Sequence, residues 1–206
     1  MPAAIVEYQR RIFLNEPQLN PVLDKLPGVL GKLYMHWDPI CANSMTSSVL
    51  DFLTGTLMED KEEIQNMPLH SEARNWPKFL RTKTGIGAMF IHPVFPKTAY
   101  PDLAIYAQAI PDIDDFLCYV NDLFSFYKED LAGEEMNYIG IRAKITGEAP
   151  LRVVSDLVDE VTRCHDNILA MLSNHPHAVR RWKDYVQGYV GFHLHVTRYR
   201  LSELGF

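Results

Sequence analysis

The sequence predicts an all-α protein with one domain, and three observations support this. Apolar residues recur at three- and four-residue steps through most of the 206 residues, as on the buried face of an amphipathic helix. No stretch alternates apolar and polar residues for long enough to indicate a strand, and no repeat is seen. Proline, glycine and charged runs separate the apolar segments and mark helix ends. We therefore expect a single helical domain over residues 1–206.

The first half of the chain begins with three predicted helices. Residues 1–17 carry a weak helical pattern, and a clearer one runs from Pro21 to about Met35. Pro27 and Gly28 stand where they could divide this second helix. A third apolar helix covers residues 41–58, after which a charged run brings the chain to the surface.

Residues 76–90 form the next informative segment. Arg81 lies just before Gly85 and Gly87, where a helix can break and present backbone groups to a ligand. An ordinary helix with an exposed arginine and two weak glycines fits the same residues.

The second half is predicted to hold longer helices. A short helix covers 103–110, and Pro111 is a suitable first-turn residue for the helix that follows. After a short segment at 139–149, a long amphipathic helix covers 151–172 and a last one covers 178–204.

Composition excludes several classes of function. With 47% hydrophobic and 22% charged residues the chain is globular, and its net charge of −6 offers no basic stripe for a nucleic acid. Cys41, Cys118 and Cys164 are widely spaced and lie in helical patterns, so we expect reduced core residues. No signal peptide and no run of about 20 apolar residues is seen, which predicts a soluble cytoplasmic protein outside the membrane.

The polar pattern of residues 121–130, NDLFSFYKED, is the strongest sign of chemistry. On a helix that turns about 100° per residue, four polar side chains fall within an arc of roughly 100°: Asn121, Ser125, Lys128 and Glu129. An amide oxygen, a hydroxyl and a carboxylate are ligands that suit Mg²⁺, which proteins often share with a substrate phosphate. Lys128 lies beside them, where it could meet that phosphate. We call these four side chains the polar stripe.

The polar stripe has two interpretations from spacing alone. It could be the water-facing side of an ordinary amphipathic helix. Its setting favours an enclosed position, because apolar residues surround it on nearly all sides of the helix. They include Ile113, Phe116, Leu117, Tyr119, Val120, Leu123, Phe124, Phe126 and Tyr127.

Two further groups of metal-ligand residue types stand near this helix or after it. Residues 112–115, DIDD, resemble an aspartate cluster for a metal, but acids in a first helical turn are also stabilised by the helix dipole, and we favour that second interpretation. His193 and His195 are two residues apart, which points them in different directions on a helix. We therefore expect core or rim histidines and no shared metal.

Residues 121–130 resemble the metal-binding motif of class I terpene cyclases, (N/D)DxxSxxKE. The match is complete at its defined positions: Asn121, Asp122, Ser125, Lys128 and Glu129. Residues 188–190, 193–194 and 198–203 are similar to the C-terminal basic region of the fungal trichodiene synthase family. Ser48, residues 50–52, Gly55 and residues 77–81 are also similar, so the resemblance extends from about Tyr8 to Leu204.

This resemblance implies a helical bundle, a cofactor and a substrate class. Asn121, Ser125 and Glu129 would bind one Mg²⁺ ion, and Arg81 would sense the diphosphate of a prenyl substrate. The substrate of sesquiterpene cyclases is farnesyl diphosphate. Metal ions and cationic side chains would neutralise the departing diphosphate, so that the allylic carbon–oxygen bond ionises.

The remaining implied roles lie at the diphosphate and around the carbocation. Lys128 and Arg198 would hold the diphosphate oxygens, and Tyr199 would hydrogen-bond to them, so Arg198 and Tyr199 are the predicted catalytic residues. Aromatic faces could stabilise the carbocation by cation–π attraction. The candidates are Phe52, Phe90, Phe124 and Tyr119.

The sequence also departs from the family pattern. The family has an aspartate-rich motif on a facing helix, but no DDxx(D/E) occurs here before Arg81. We therefore expect an incomplete bundle without the opening helices and the tail, open to solvent or to a partner, with little or no turnover by the 206-residue chain.

Three functions follow as alternatives. The first is a sesquiterpene cyclase of terpenoid secondary metabolism, and the second is a non-ionising or inactive cyclase-fold protein that binds a terpenoid or a partner. The third is a helical interaction module, against which the complete motif and the Arg198-Tyr199 pair weigh. A homodimer is one assembly left open.

Overall fold

The helices of the computed structural model lie close to where the apolar periodicity places them. The structure describes residues 2–205, among which there are ten α-helices and four short 3₁₀ turns but no strand. The helices are α1 (Pro2–Phe13), α2 (Pro21–His36), α3 (Pro39–Asp60), α4 (Glu62–Gln65), α5 (Trp76–Thr84), α6 (Ala88–Val94), α7 (Ile110–Ala132), α8 (Tyr138–Thr146), α9 (Pro150–Met171) and α10 (Pro176–His195). The prediction of an all-α fold is confirmed.

Pro27 does not divide α2. Its ring is exposed, whereas Leu23, Leu30 and Leu33 on the same helix are buried. The backbone hydrogen bond that proline removes is therefore lost on the solvent side, and packing of the leucines holds the helix together.

Two other boundaries differ from the prediction. In place of one α-helix over 103–110, the chain forms the 3₁₀ turns Leu103–Ile105 and Ala107–Ala109, and Ile110 begins α7. Asp102 accepts a hydrogen bond from the Ala104 N–H. The last helix stops at His195, because Val196 is extended and Arg200 is left-handed with φ 57°. Two 3₁₀ turns follow it, Thr197–Tyr199 and Leu201–Leu204.

The helices form two compact units. The first contains the residues up to Met67 and Lys83–Ala99, and its core lies among α1, α2, α3 and α6. Tyr8 and Met45 are almost fully buried there. Within this unit Asp38 caps α3 by accepting hydrogen bonds from the N–H groups of Ile40 and Cys41.

The second unit contains Pro68–Thr82 and the residues from Tyr100 onward. Its central element is α7, which packs along α9 and also contacts α8 and α10. Cys118 and Tyr119 of α7 share a core with Ile139, Val153 and Leu157. Trp182 of α10 is fully buried.

The prediction for the cysteines is confirmed: Cys41, Cys118 and Cys164 are buried and not in disulfides. No helix in the described part of the chain is both long and apolar enough to cross a membrane.

Candidate functional site

The helix α7 holds the polar stripe, and local sequence explains both of its ends. Pro111 occupies the first turn, where a missing N–H leaves no intrahelical bond unmade. Gly133 ends the helix with φ +70°, and its N–H donates to the Asp130 carbonyl. Between these ends the helix runs without a break, so Asn121, Ser125 and Glu129 follow one another at four-residue steps along one face.

The polar stripe does not face bulk water. Ser125 is buried, with 5% of its surface exposed. The side chains of Lys128 and Glu129 are 16% and 17% exposed. This degree of burial agrees with the enclosed interpretation of the stripe.

Arg81 of α5 reaches the N-terminal end of the stripe and is largely buried. Its Nε donates to the Asp122 carboxylate at 2.8–2.9 Å, and its Nη2 donates to the Asn121 Oδ1 at 3.1 Å. A third bond runs from Nη2 to the Cys118 carbonyl at 3.2 Å. The guanidinium therefore joins α5 to two consecutive residues of the motif.

Two residues from the C-terminal part of the chain hold the other side of Asn121. Its Nδ2 lies 3.3 Å from the Tyr199 Oη and 3.2 Å from the His193 Nε2. The His193 Nδ1 lies 2.8 Å from the Tyr189 carbonyl, which can only accept, so Nδ1 carries the proton. In the neutral ring Nε2 then accepts from Asn121. The amide is thus oriented with its oxygen toward Arg81.

Burial shapes the electrostatics of this network. It raises the pKa of Asp122 to about 6, although the Arg81 guanidinium opposes the shift. Burial also lowers the pKa of His193, only partly offset by its bond to the Tyr189 carbonyl, which keeps the ring neutral near pH 7.

The C-terminal end of the stripe is held more loosely. The Lys128 Nζ donates to the Glu129 Oε1 at 2.6 Å. Arg198 is exposed, and its side chain has no ion pair or hydrogen bond with any residue of 2–205. Arg81, Asn121 and Tyr199 are therefore brought together, whereas Arg198 makes no hydrogen bond or ion pair with them.

The four aromatic candidates have different positions. Phe124 stacks on the His193 ring at 5.4 Å and lies at the network. Tyr119 is buried against Tyr138, with ring centroids 5.2 Å apart, on a different face of α7 from the stripe. A residue two before Asn121 points about 200° round the helix from it, so Tyr119 does not share a face with the stripe. Phe52 and Phe90 belong to the first unit.

Sequence reasoning gave no role to Asp122 and His193 in this network, although both were noted. The motif itself contained the signal for Asp122, since an acid inside an apolar helix needs a cationic partner. For His193 the signal was its position in an apolar segment, which predicted burial but not its bond to Asn121.

The aspartates of residues 112–115 have separate partners. Asp112 lies in the first turn of α7 and accepts from Asn167 at 3.0 Å. Asp115 pairs with Lys78 at 2.6 Å, and Asp114 is largely buried near the Cys118 thiol. No group of three or more His, Cys, Asp or Glu side chains suited to a metal occurs within residues 2–205.

The polar stripe fits Mg²⁺ by its donor chemistry. Asn121, Ser125 and Glu129 offer three oxygen donors on one helix face, the type that Mg²⁺ prefers. Two of these oxygens have cationic partners: the Asn121 Oδ1 accepts from Arg81 and the Glu129 Oε1 accepts from Lys128. This face of α7 therefore already stabilises positive charge, which is supplied here by the Arg81 and Lys128 side chains.

Comparison with known proteins places these residues in a family. The model of the family described as Trichodiene synthase (TRI5) matches residues 3–205. The chain is 32% identical to "Terpene synthase BipA" of Cochliobolus sativus over 96% of its own length and 61% of that protein. It is 33% identical to "Terpene synthase 29" of Postia placenta, covering 90% of this chain and 54% of the relative. It is 31% identical to "(E)-beta farnesene synthase" of Metarhizium brunneum, covering 96% and 61%.

The chain thus spans little more than half of the length of these relatives. The match nevertheless covers almost all of its own residues, and the helical fold agrees with that of class I terpene synthases. The chain belongs to the trichodiene synthase family of terpene synthases.

Proposed function

We propose that the chain provides the metal- and diphosphate-binding side of a Mg²⁺-dependent sesquiterpene cyclase, which acts on farnesyl diphosphate in cytoplasmic secondary metabolism. The observation that carries this proposal is the network around Asn121. It joins Arg81, Asn121 and Tyr199, which are 40 and 78 residues apart in sequence, through hydrogen bonds of 3.1 and 3.3 Å. The meeting at one buried position of the first residue of the motif with two other residues that the family resemblance assigns to the diphosphate supports the proposal.

Each side chain has a role in this proposal. Asn121, Ser125 and Glu129 would hold a Mg²⁺ ion, and the bound ion supplies positive charge to the departing diphosphate. Lys128 and Arg198 would pair with diphosphate oxygens, and Arg81 would reach the diphosphate from its position beside Asn121.

Ionisation would break the allylic carbon–oxygen bond, whose electron pair leaves with the diphosphate. The cationic side chains stabilise that charge more in the transition state than in the substrate, which is the basis of rate acceleration. Phe124, which stacks on the His193 ring of the network, would stabilise the carbocation.

One observation favours a second candidate, a cyclase-fold protein that binds a terpenoid or a partner without ionising it. The Asn121 Oδ1 and the Glu129 Oε1 each accept from a cationic side chain of the same chain. These contacts satisfy the stripe with no metal present, so a metal would have to displace them.

Binding and turnover together test the proposal. The chain is titrated with Mg²⁺ and an unreactive thio-analogue of farnesyl diphosphate, and then incubated with farnesyl diphosphate while released pyrophosphate and hydrocarbon are measured. A cyclase site binds the analogue only with Mg²⁺. Because little or no turnover is expected of the 206-residue chain alone, pyrophosphate release would exclude the second candidate, whereas Mg²⁺-dependent binding without release would support the metal site alone.

Alanine variants test whether the Mg²⁺-dependent binding of the analogue depends on the polar stripe. Asn121→Ala and Glu129→Ala should lose the Mg²⁺-dependent binding, while Glu134→Ala, at an exposed position just past α7, should keep it. Wild-type affinity in Asn121→Ala, or no Mg²⁺-dependent binding by the wild-type chain, would refute the metal assignment.

A further inference from the structure

A polar cavity lies in the second unit, lined by α7, α8, α9 and the beginning of α5. Its volume is about 410 Å³, in the range of small-molecule sites. Six charged side chains line it: Arg74, Lys78, Asp115, Arg142, Glu160 and Arg163. Four are cations and two are acids, so the lining carries a net charge of +2.

Both acids of this cavity are already paired. Asp115 accepts from Lys78 at 2.6 Å, and Glu160 lies 2.8 Å from Arg142. The two remaining cations are Arg74 and Arg163, whose side chains have no ion pair or hydrogen bond within residues 2–205. The excess charge therefore lies on two guanidinium groups that are free to take a ligand.

Part of the cavity wall is fixed. Tyr119 and Tyr138 are 5% and 9% exposed and contact each other. Arg142 is paired with Glu160 at 2.8 Å, and both side chains are 21% exposed. The tyrosine pair and this ion pair thus hold the wall in place, so it can bind a ligand without first being ordered.

We propose that this cavity binds a small phosphate dianion, either free or as the phosphate group of a metabolite. A phosphate carries a charge of about −1.5 to −2 at neutral pH, which matches the excess charge of the lining, whereas a carboxylate compensates only half of it. The planar guanidinium fork also forms paired hydrogen bonds with phosphate oxygens.

The cavity is separate from the polar stripe. Asp115 and Tyr119 lie roughly 110° round the axis of α7 from the middle of the stripe, at about 100° per residue. Binding here needs no Mg²⁺ and none of Arg81, Lys128 or Arg198. The inference therefore stands whether or not the chain is a cyclase.

The test is an NMR titration of the chain with inorganic phosphate in buffer that contains a metal chelator. Amide shifts should move at Arg142, Thr146 and Arg163, and acetate at equal ionic strength should move them much less. Pyrophosphate in a parallel titration separates a preference for diphosphate from one for phosphate.

Removing a cation and removing an acid from the cavity should change the phosphate affinity in opposite directions. Arg163→Gln should weaken phosphate binding about tenfold, because it removes a charged donor. Arg180→Gln removes an equally exposed arginine of α10, outside the cavity, and should leave the affinity unchanged. Glu160→Gln frees Arg142 and should strengthen binding several-fold.

Equal affinities in all three variants would overturn the proposal, as would shifts located away from the cavity. Failure of the wild-type chain to bind phosphate at millimolar concentration would also overturn it.

Discussion

The two ends of the polar stripe on α7 differ in how they are held. At the N-terminal end, Asn121 has hydrogen-bond partners on three elements: Arg81 from α5, His193 from α10 and Tyr199 after it. At the C-terminal end, Glu129 is bonded to its neighbour Lys128. One end is therefore fixed by tertiary structure before any ligand binds, and the other is fixed only locally.

The difference has an energetic cause. A buried polar group that loses its partner costs the full desolvation penalty of that group, so the N-terminal end must be satisfied for the protein to fold. The Lys128–Glu129 pair lies within one helix and joins no second element, which leaves both side chains able to exchange partners. We infer that the anchored end positions the site and that the loose end adapts to the ligand.

The largest expected effect comes from removing the cation of the anchored end. Arg81→Met leaves the Asp122 carboxylate and the Asn121 oxygen without their donor, and should lower the free energy of unfolding by about 3 kcal/mol at pH 7.5. Lys128→Met, the matched loss at the other end, should cost less, because it removes a contact within α7 and none between elements. Urea denaturation measures both, and equal losses would remove the distinction between the ends.

The stability of Arg81→Met should also depend on pH more steeply than that of the wild type. Arg81 opposes the rise in the pKa of Asp122, so this pKa should move above its present value of about 6 in Arg81→Met. The folded variant then holds a proton more tightly than the folded wild type, and its stability falls further as the pH rises through that range.

The stability gap between wild type and Arg81→Met should therefore be smaller at pH 5 than at pH 7.5. The difference amounts to about 1.4 kcal/mol for each unit by which the pKa of Asp122 rises. Denaturation at the two pH values checks this, and a gap that widens on acidification would contradict the burial of an ionised Asp122.

The third prediction concerns the orientation of Asn121. His193→Phe keeps the ring contacts but removes the acceptor for the Asn121 Nδ2, and should cost about 1 kcal/mol. His195→Phe on the same helix is the control, because His195 is exposed and its Nδ1 bonds to the Gly191 carbonyl of the same helix. The NMR shift of the Asn121 side-chain amide should change in the first variant alone.

The smallest effect on stability is expected at Arg198. Because this side chain is exposed and unpaired among residues 2–205, Arg198→Gln should change the free energy of unfolding by less than about 0.5 kcal/mol. It should still weaken Mg²⁺-dependent pyrophosphate binding severalfold, as seen by calorimetry. A large loss of stability would show that Arg198 belongs to the anchored end.

Sequence predicted the helices and the stripe because both depend on local spacing. The four-residue steps from Asn121 to Glu129 define a helix face without any tertiary information. The same geometry puts Tyr119 on another face of the helix, about 200° from Asn121.

Other features depend on contacts that spacing cannot give. The Arg81–Asp122 ion pair joins residues 41 apart in sequence, and several acids of the helix were candidates for it. The end of α10 at His195 has neither glycine nor proline to mark it, so one helix was predicted through Tyr199. That break is what allows Tyr199 to be buried against Asn121 while Arg198 stays exposed.

The central claim is that the stripe on α7 binds a divalent metal together with a diphosphate. Mn²⁺ takes the same oxygen ligands as Mg²⁺ and is visible by electron paramagnetic resonance, so it can be titrated into the chain with pyrophosphate present. We predict a bound Mn²⁺ signal in the wild type and in Glu134→Ala that is lost in Glu129→Ala. A signal of equal strength in Glu129→Ala, or none in the wild type, would contradict the claim.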